Sequence, residues 1–270
     1  MTKFLDYLDR NAIKIVLTAT LILGVFLGGL YISSIKSDIV KLNTQMISEK
    51  VIKPNYSVLK SHTVYIVGCS NKILSDEKKI KYLLGEEKEA VCWSGTGSVI
   101  KITDTETYIL TNNHVAGAGE EKVTLYIQNE DSKVIAEVVK NHPYVDAAVI
   151  KIKVKLIGKT VIPGYAVAKI QDSVYVVGNP LGNKMTYSEG VVANFVKTDM
   201  LIQTPLIYGN SGSAIINKDG KLIGMCYSLQ MYPWILGLPA PQITHCLCVD
   251  SLSIQMFLKD LGLIDEITYE

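Results

Sequence analysis

Hydrophobic and polar positions divide the chain into an apolar N-terminal stretch and a longer region of short β-branched runs. Residues 15–32 carry no charged side chain, and Lys14 and Lys36 bracket them. A membrane-spanning helix needs roughly 20 apolar residues. A cleaved secretory signal would have an apolar region of only about 7–15 residues followed by a small-residue cleavage site. No such site follows here, so we predict an uncleaved transmembrane anchor at residues 15–32, after a flank at residues 1–14.

The segment after the anchor has a narrow helical stripe. Ile35, Ile39, Leu42 and Met46 recur at the spacing of one helix face. They predict either a short coiled-coil stalk, which would pair subunits into a homo-oligomer, or a simple continuation of the membrane helix that ends before Pro54. We therefore assign residues 33–56 to a helical stalk or linker.

Residues 57–270 have a different texture, in which short apolar runs alternate with turn residues. Regularly spaced runs of this kind predict an all-β sandwich or barrel. The predicted strands are 63–67, 99–102, 108–110, 123–127, 134–139, 147–152, 174–177, 190–195, 201–203, 214–216 and 222–226. A charged insertion is expected at 76–89, and a closing helix at 250–261 with Asp250 as its N-cap and Gly262 just beyond its end.

Net charge and cysteine content limit which partners, compartment and cofactors are expected. The formal net charge is +1, which gives no field for nucleic acid, so no nucleic-acid partner is expected. The cysteines number 5, an odd count without a recognisable disulfide pattern, and this slightly favours a reducing compartment. Cys246 and Cys248 follow His245, but no second spaced pair accompanies them, so neither a metal nor any other cofactor is expected.

The run of residues 209–213, Gly-Asn-Ser-Gly-Ser, is the strongest candidate for chemistry. Glycines let the backbone turn tightly, so a serine here can act as a nucleophile while neighbouring N–H groups form an oxyanion hole. Such a cluster is also ordinary turn chemistry.

Two further residues supply what a nucleophilic serine needs. His114 follows an apolar strand and a polar turn, where a general base would be presented. Asp146 precedes a strongly apolar strand, and a half-buried carboxylate there needs a partner such as a histidine N–H. Alternatively, His114 is a structural histidine and Asp146 only ends a turn.

The order His, Asp, Ser resembles the trypsin-like serine peptidases, and specifically their Deg/HtrA-type branch. Six collinear runs carry this resemblance. They are residues 95–100 (GTGSVI), 111–115 (TNNHV), 146–152 (DAAVIKI), 176–182 (VVGNPLG), 188–192 (SEGVV) and 209–213 (GNSGS).

The resemblance implies two six-stranded antiparallel barrels with a site in the cleft between them. It implies that Ser211 is the nucleophile, His114 the general base and then acid, and Asp146 the orienting carboxylate. Gly209 and Ser211 would supply the oxyanion-hole donors, with Asn210 shaping the loop. It also implies protein or peptide substrates and a domain on the extracytoplasmic side of the membrane.

The chain departs from the family pattern in places. Ser213 and Ala214 stand where the family usually has glycine and proline, and no PDZ domain is expected after the closing helix. Pro205 and the segment Cys226, Tyr227 and Ser228 are the expected walls of the specificity pocket. No acidic residue stands at the pocket base, which predicts apolar rather than basic P1 side chains.

The departure at Ser213 also leaves a second interpretation open. The chain would then be a catalytically silent peptidase fold that serves as a membrane-tethered binding module. The presence of His114, Asp146 and Ser211 together favours the enzyme.

Overall fold

The computed structural model describes residues 20–39, 53–70, 91–120, 123–128, 133–197, 199–232 and 242–269, together with Lys14, Thr18 and Lys41. The chain divides into two units, residues 1–51 and residues 52–270. The predicted insertion at 76–89 lies outside the described residues.

The first unit contains helix α1, Thr20–Ile39, which is long and apolar enough to cross a membrane. Its side chains are exposed throughout. The helix continues past the predicted end at residue 32 and includes Ile35 and Ile39. Leu42 and Met46 lie outside the described residues, so the stalk stays a prediction.

The second unit begins with a short helix and a first closed barrel. Helix α2 is Tyr56–His62, with the Asn55 side chain accepting from the Ser57 N–H at its start. The barrel strands run in the order β1-β2-β3-β6-β5-β4. Their bounds are β1 Thr63–Ser70, β2 Val91–Ile102, β3 Thr107–Thr111, β4 Val123–Gln128, β5 Lys133–Asn141 and β6 Ala148–Ile152.

A second closed barrel follows, with strand order β10-β11-β12-β9-β8-β7. Its strands are β7 Ser173–Gly178, β8 Thr186–Val196, β9 Asp199–Gln203, β10 Ala214–Ile216, β11 Leu222–Tyr232 and β12 Gln242–Asp250. A 3-10 turn, Pro180–Gly182, links β7 to β8. Helix α3, Ser251–Asp260, closes the chain, and the Asp250 side chain caps it by accepting from the Ser253 N–H. The predicted architecture of two six-stranded antiparallel barrels and a closing helix is confirmed.

Three apolar clusters hold this unit together. Each barrel has its own interior, around Ile109 and Ile150 in the first and around Ile202 and Ile215 in the second. The third cluster joins residues of both barrels with residues of helices α2 and α3. Its shared core positions the two barrels around a common cleft.

The cysteines depart from the sequence-based expectation. Cys69 in β1 and Cys92 in β2 form a disulfide, because antiparallel register places them directly opposite each other. The cysteine spacing gave no recognisable pattern from which this pair could be predicted. Cys226, Cys246 and Cys248 remain free and are buried.

Candidate active site

His114, Asp146 and Ser211 lie in three loops, two from the first barrel and one from the second. His114 follows β3, Asp146 lies between β5 and β6, and Ser211 lies between β9 and β10. Loops at strand ends are where a rigid scaffold presents functional side chains.

His114 and Asp146 are directly paired. His114 Nδ1 lies 2.6 Å from Asp146 Oδ2, and the backbone N–H of His114 donates to Asp146 Oδ1 at 3.2 Å. The side chains are 49% and 25% exposed respectively. With Nδ1 carrying the proton toward the carboxylate, Nε2 is left unprotonated and able to accept a proton.

Two asparagines beside His114 fix the loop that carries Asp146. Asn112 Nδ2 donates to the Asp146 carbonyl at 2.6 Å. Asn113 Nδ2 donates to the carbonyls of His142 and Val145, each at 3.0 Å. These bonds make the position of Asp146 depend on the same turn that presents His114.

The Ser211 loop is held by the opposite barrel. The Thr96 N–H in β2 donates to the Ser211 carbonyl at 2.8 Å. The Thr96 hydroxyl donates to the Gly209 carbonyl at 2.8 Å. Gly212 has φ of +85°, and a Cβ there would collide with the Thr96 carbonyl. Glycine is therefore required at 212 for Ser211 to be presented.

Two backbone N–H groups, those of Gly209 and Ser211, have no hydrogen-bond acceptor among the described residues. The Leu181 N–H donates to the Tyr208 carbonyl at 2.7 Å. The Tyr208–Gly209 peptide is trans, so the Gly209 N–H points away from Leu181. Backbone N–H groups without an internal acceptor are the kind of donor that an oxyanion hole uses.

His114 and Ser211 line one cavity of about 290 Å³. No hydrogen bond joins their side chains in the part of the chain the structure describes, although such contacts often tighten only with substrate bound. The other lining residues are Ile207, Tyr208, Cys226, Tyr227, Ser228 and Leu229.

Most of the predicted pocket wall lines this cavity. Cys226, Tyr227 and Ser228 are part of its lining, whereas Pro205 is exposed on the surface and is absent from the lining. Leu229, the first residue of the apolar loop expected beside this wall, also lines the cavity. Sequence reasoning missed Ile207 and Tyr208, and their proximity to the run 209–213 was the available signal.

The free cysteines are poor candidates for a nucleophile. Burial raises the pKa of Cys248. The hydrogen bond from Cys246 lowers the pKa of Cys226, but Cys248 and burial outweigh it and hold that pKa well above its usual range. A thiol must ionise to react, so these groups stay inert. No cluster of metal-ligating side chains occurs among the described residues.

Burial also raises the pKa of Tyr227 to about 12, and Asp199 adds to this effect. Tyr227 therefore lines the cavity as a neutral phenol at physiological pH.

The fold and the paired residues define a trypsin-like peptidase domain. Residues 95–225 match the family described as "Trypsin-like peptidase domain". This match and the relatives below support the resemblance to the Deg/HtrA-type branch that the six sequence runs carry.

Two relatives and one solved structure show the similarity. The chain is 33% identical over 153 residues to "Serine protease HtrA-like" of Staphylococcus haemolyticus, covering 48% of this chain and 23% of that protein. It is 33% identical over 154 residues to "Probable periplasmic serine endoprotease DegP-like" of Chlamydia pneumoniae, covering 52% of this chain and 29% of that protein. The chain thus spans about a quarter of the length of these relatives.

The solved structure "HtrA-type protease AlgW with decapeptide" has a TM-score of 0.56 at 17% identity, covering 77% of this chain and 68% of that chain. At this identity the likeness establishes the fold.

Proposed function

We propose that the chain is a membrane-anchored serine endopeptidase that cleaves proteins or peptides through an acyl-enzyme. The observation that carries this proposal is the 2.6 Å pair of His114 and Asp146 on the same cavity as Ser211. The similarity to HtrA-like serine proteases supports the same reaction class.

In this mechanism Ser211 Oγ attacks the scissile carbonyl carbon and its proton passes to His114 Nε2. The N–H groups of Gly209 and Ser211 stabilise the oxyanion, while Asn210 shapes their loop. His114 then gives the proton to the leaving amine, the C–N bond breaks and a Ser211 ester remains. Water repeats the sequence and releases the acid, and Asp146 stays ionised beside the imidazolium.

The cavity supports a preference for apolar P1 side chains. Ile207, Leu229 and the buried Cys226 contribute apolar surface, and the described residues that line the cavity include no Asp or Glu. A basic side chain would lose its hydration there without gaining a charged partner. A peptide library should therefore be cleaved after small or medium apolar residues, and a profile dominated by Arg or Lys would contradict this assignment.

The anchor and the disulfide support an extracytoplasmic domain. Helix α1 is long and apolar enough to span a membrane. The Cys69–Cys92 disulfide favours an oxidising compartment over the reducing one suggested by the cysteine count. External protease added to intact cells or spheroplasts should degrade the domain. Protection until lysis would contradict this sidedness.

Ser211→Ala tests the chemistry. Loss of the hydroxyl should lower peptide hydrolysis by about 10⁶-fold, as for related triads, and should abolish labelling by a fluorophosphonate probe. Ser213→Ala is the matched control, since Ser213 lies two positions away and is fully buried. The fluorophosphonate probe should still label the Ser213→Ala variant.

Ser213 and Ala214, which depart from the family pattern beside Ser211, favour a second candidate, a silent peptidase fold that only binds partners. The fluorophosphonate experiment separates the two candidates, because a silent fold leaves wild type and Ser211→Ala equally unlabelled.

A further inference from the structure

The loop between β5 and β6, residues 142–147, carries Asp146 and is organised around one imidazole. His142 Nδ1 accepts two backbone hydrogen bonds, from the Tyr144 N–H at 3.1 Å and the Val145 N–H at 3.0 Å. Asn and Asp side chains commonly close turns in this way. Here the same contact is made by a ring that can be protonated.

Backbone hydrogen bonds between its first and last residues hold the rest of the loop. The His142 N–H donates to the Ala147 carbonyl at 2.8 Å, and the Ala147 N–H donates to the Val145 carbonyl at 2.8 Å. Asn113 Nδ2 donates to the backbone carbonyls of His142 and Val145. The N–H groups of Tyr144 and Val145 are therefore fixed by His142 Nδ1, directly before Asp146.

The ring itself is held by the C-terminal helix. The ring centroids of Phe257 in α3 and His142 are 5.1 Å apart at an interplanar angle of 79°, an edge contact. Because Nδ1 accepts two bonds, the neutral ring must carry its proton on Nε2. Protonation at Nδ1 would turn this acceptor into a donor facing two donors.

Charged and titratable neighbours act on His142 from two elements. Burial lowers the pKa of His142, and Asp260 at the end of α3 opposes this effect. Tyr144 and Asp146 are the titratable groups on its own loop, and Asp146 is engaged by His114. The neutral ring that the loop needs is thus favoured near neutral pH.

We propose that His142 is a positioning residue whose unprotonated Nδ1 shapes the 142–147 loop so that Asp146 is aimed at His114, and that protonation of His142 loosens this arrangement. This inference rests on the proposed peptidase function. His142 is absent from the cavity lining, so its effect should fall on kcat rather than on KM.

Two substitutions separate the acceptor role from packing. His142→Phe keeps a ring against Phe257 but removes the acceptor, whereas His142→Asn keeps a turn-closing acceptor and removes the ring. In the full chain in detergent at pH 7.5, His142→Phe should lower kcat by about 10–100-fold with KM nearly unchanged, since misplacement of about 1 Å can have an effect of this size. His142→Asn should retain kcat within about threefold.

The matched control is Tyr144→Ala. Tyr144 is 91% exposed, and its ring meets the His142 ring only at its edge, with centroids 6.2 Å apart. Its hydrogen bond to His142 comes from the backbone and survives in the variant, so kcat should be unchanged. The pH profile adds a second readout. Below neutrality the wild-type rate should fall more steeply than that of His142→Asn, because only wild type carries a second proton-sensitive group. Normal kcat in His142→Phe, or equal losses in both His142 variants, would overturn the proposal.

A measurement without turnover keeps this inference distinct from the proposed function. Imidazole ¹⁵N NMR of the full chain in detergent, assigned with His142→Asn, should show His142 Nδ1 unprotonated at neutral pH. Acid titration of that nitrogen should lower the protection of the Tyr144 and Val145 amides against exchange, measured relative to their intrinsic exchange rates at each pH. A protonated Nδ1 at neutral pH would refute the loop contact. Failure of wild type to hydrolyse peptides or bind the probe would instead refute the peptidase function.

Discussion

His62 should make the peptidase domain lose stability in acid. It is the last residue of α2 and is only 2% exposed. Neither of its ring nitrogens has a hydrogen-bond partner in the described part of the chain. Burial lowers the pKa of His62 to about 4, and the nearby Lys159 charge contributes to this decrease. The folded protein thus excludes a proton that the unfolded chain binds readily.

The sign and size of this change in the free energy of unfolding follow from the linkage between proton binding and folding. The unfolded imidazole has its ordinary pKa of about 6.5. Between pH 6.5 and 4 the unfolded state binds more protons, so the free energy of unfolding falls as the pH falls through this window. The pKa decrease to about 4 corresponds to a loss of about 3 kcal/mol at ~1.4 kcal/mol for each tenfold change in proton affinity.

His62→Phe isolates this contribution, because it keeps an apolar ring and removes the titration. Urea unfolding of the full chain in detergent should be followed from pH 7.5 to 4 in a Ser211→Ala background, which prevents self-digestion. Other titrating groups cancel in the difference between variant and parent. The variant should gain about 3 kcal/mol relative to the parent as the pH falls. A difference that stays constant with pH would refute the reasoning, as would an NMR pKa of His62 near 6.5.

Three further outcomes are expected. Thr96→Val should lower kcat by about 10–100-fold, because it removes the hydrogen bond to the Gly209 carbonyl, and losing that bond costs about 1–3 kcal/mol. Unchanged steady-state kinetics would contradict this expectation. Ser213→Ala should raise the free energy of unfolding by about 1 kcal/mol, because the buried Ser213 hydroxyl has no hydrogen-bond partner among the described residues. A lower melting temperature of the variant would count against this prediction. Replacing Cys69 and Cys92 with serine should lower that free energy by about 3 kcal/mol in urea unfolding, as expected for a separation of 23 residues; an unchanged midpoint would disprove it.

The strands could be predicted from the sequence where their residues are β-branched, and much less well elsewhere. Ala148–Ile152 and Ser173–Gly178 fall on such runs, and the predicted strands recover them. β12 contains no such run, because its described buried positions are Cys246, Cys248 and Val249 within a mixed polar segment. Periodicity alone does not distinguish such a segment from a loop.

Contacts between distant segments were harder to predict. The disulfide depends on the register that sets Cys69 opposite Cys92, which cysteine spacing does not reveal. The sequence predicted Pro205 at the wall of a specificity pocket, whereas Ile207 and Tyr208 line the cavity beside Ser211. Which side chains of a loop face inward depends on the path of its backbone, and that path is set by hydrogen bonds to the opposite barrel.

Competence of this site depends on the interface between the barrels more than on either barrel alone. In the proposed mechanism the base His114 and the carboxylate Asp146 come from the first barrel, and Ser211 and the N–H groups of Gly209 and Ser211 come from the second. Thr96 provides a direct link between the barrels, through its N–H to the Ser211 carbonyl and its hydroxyl to the Gly209 carbonyl. A small displacement between the barrels would misalign base, nucleophile and oxyanion donors together while leaving each barrel folded. Because orientation makes so large a contribution to catalysis, the domain would lose activity by this route before it lost its fold.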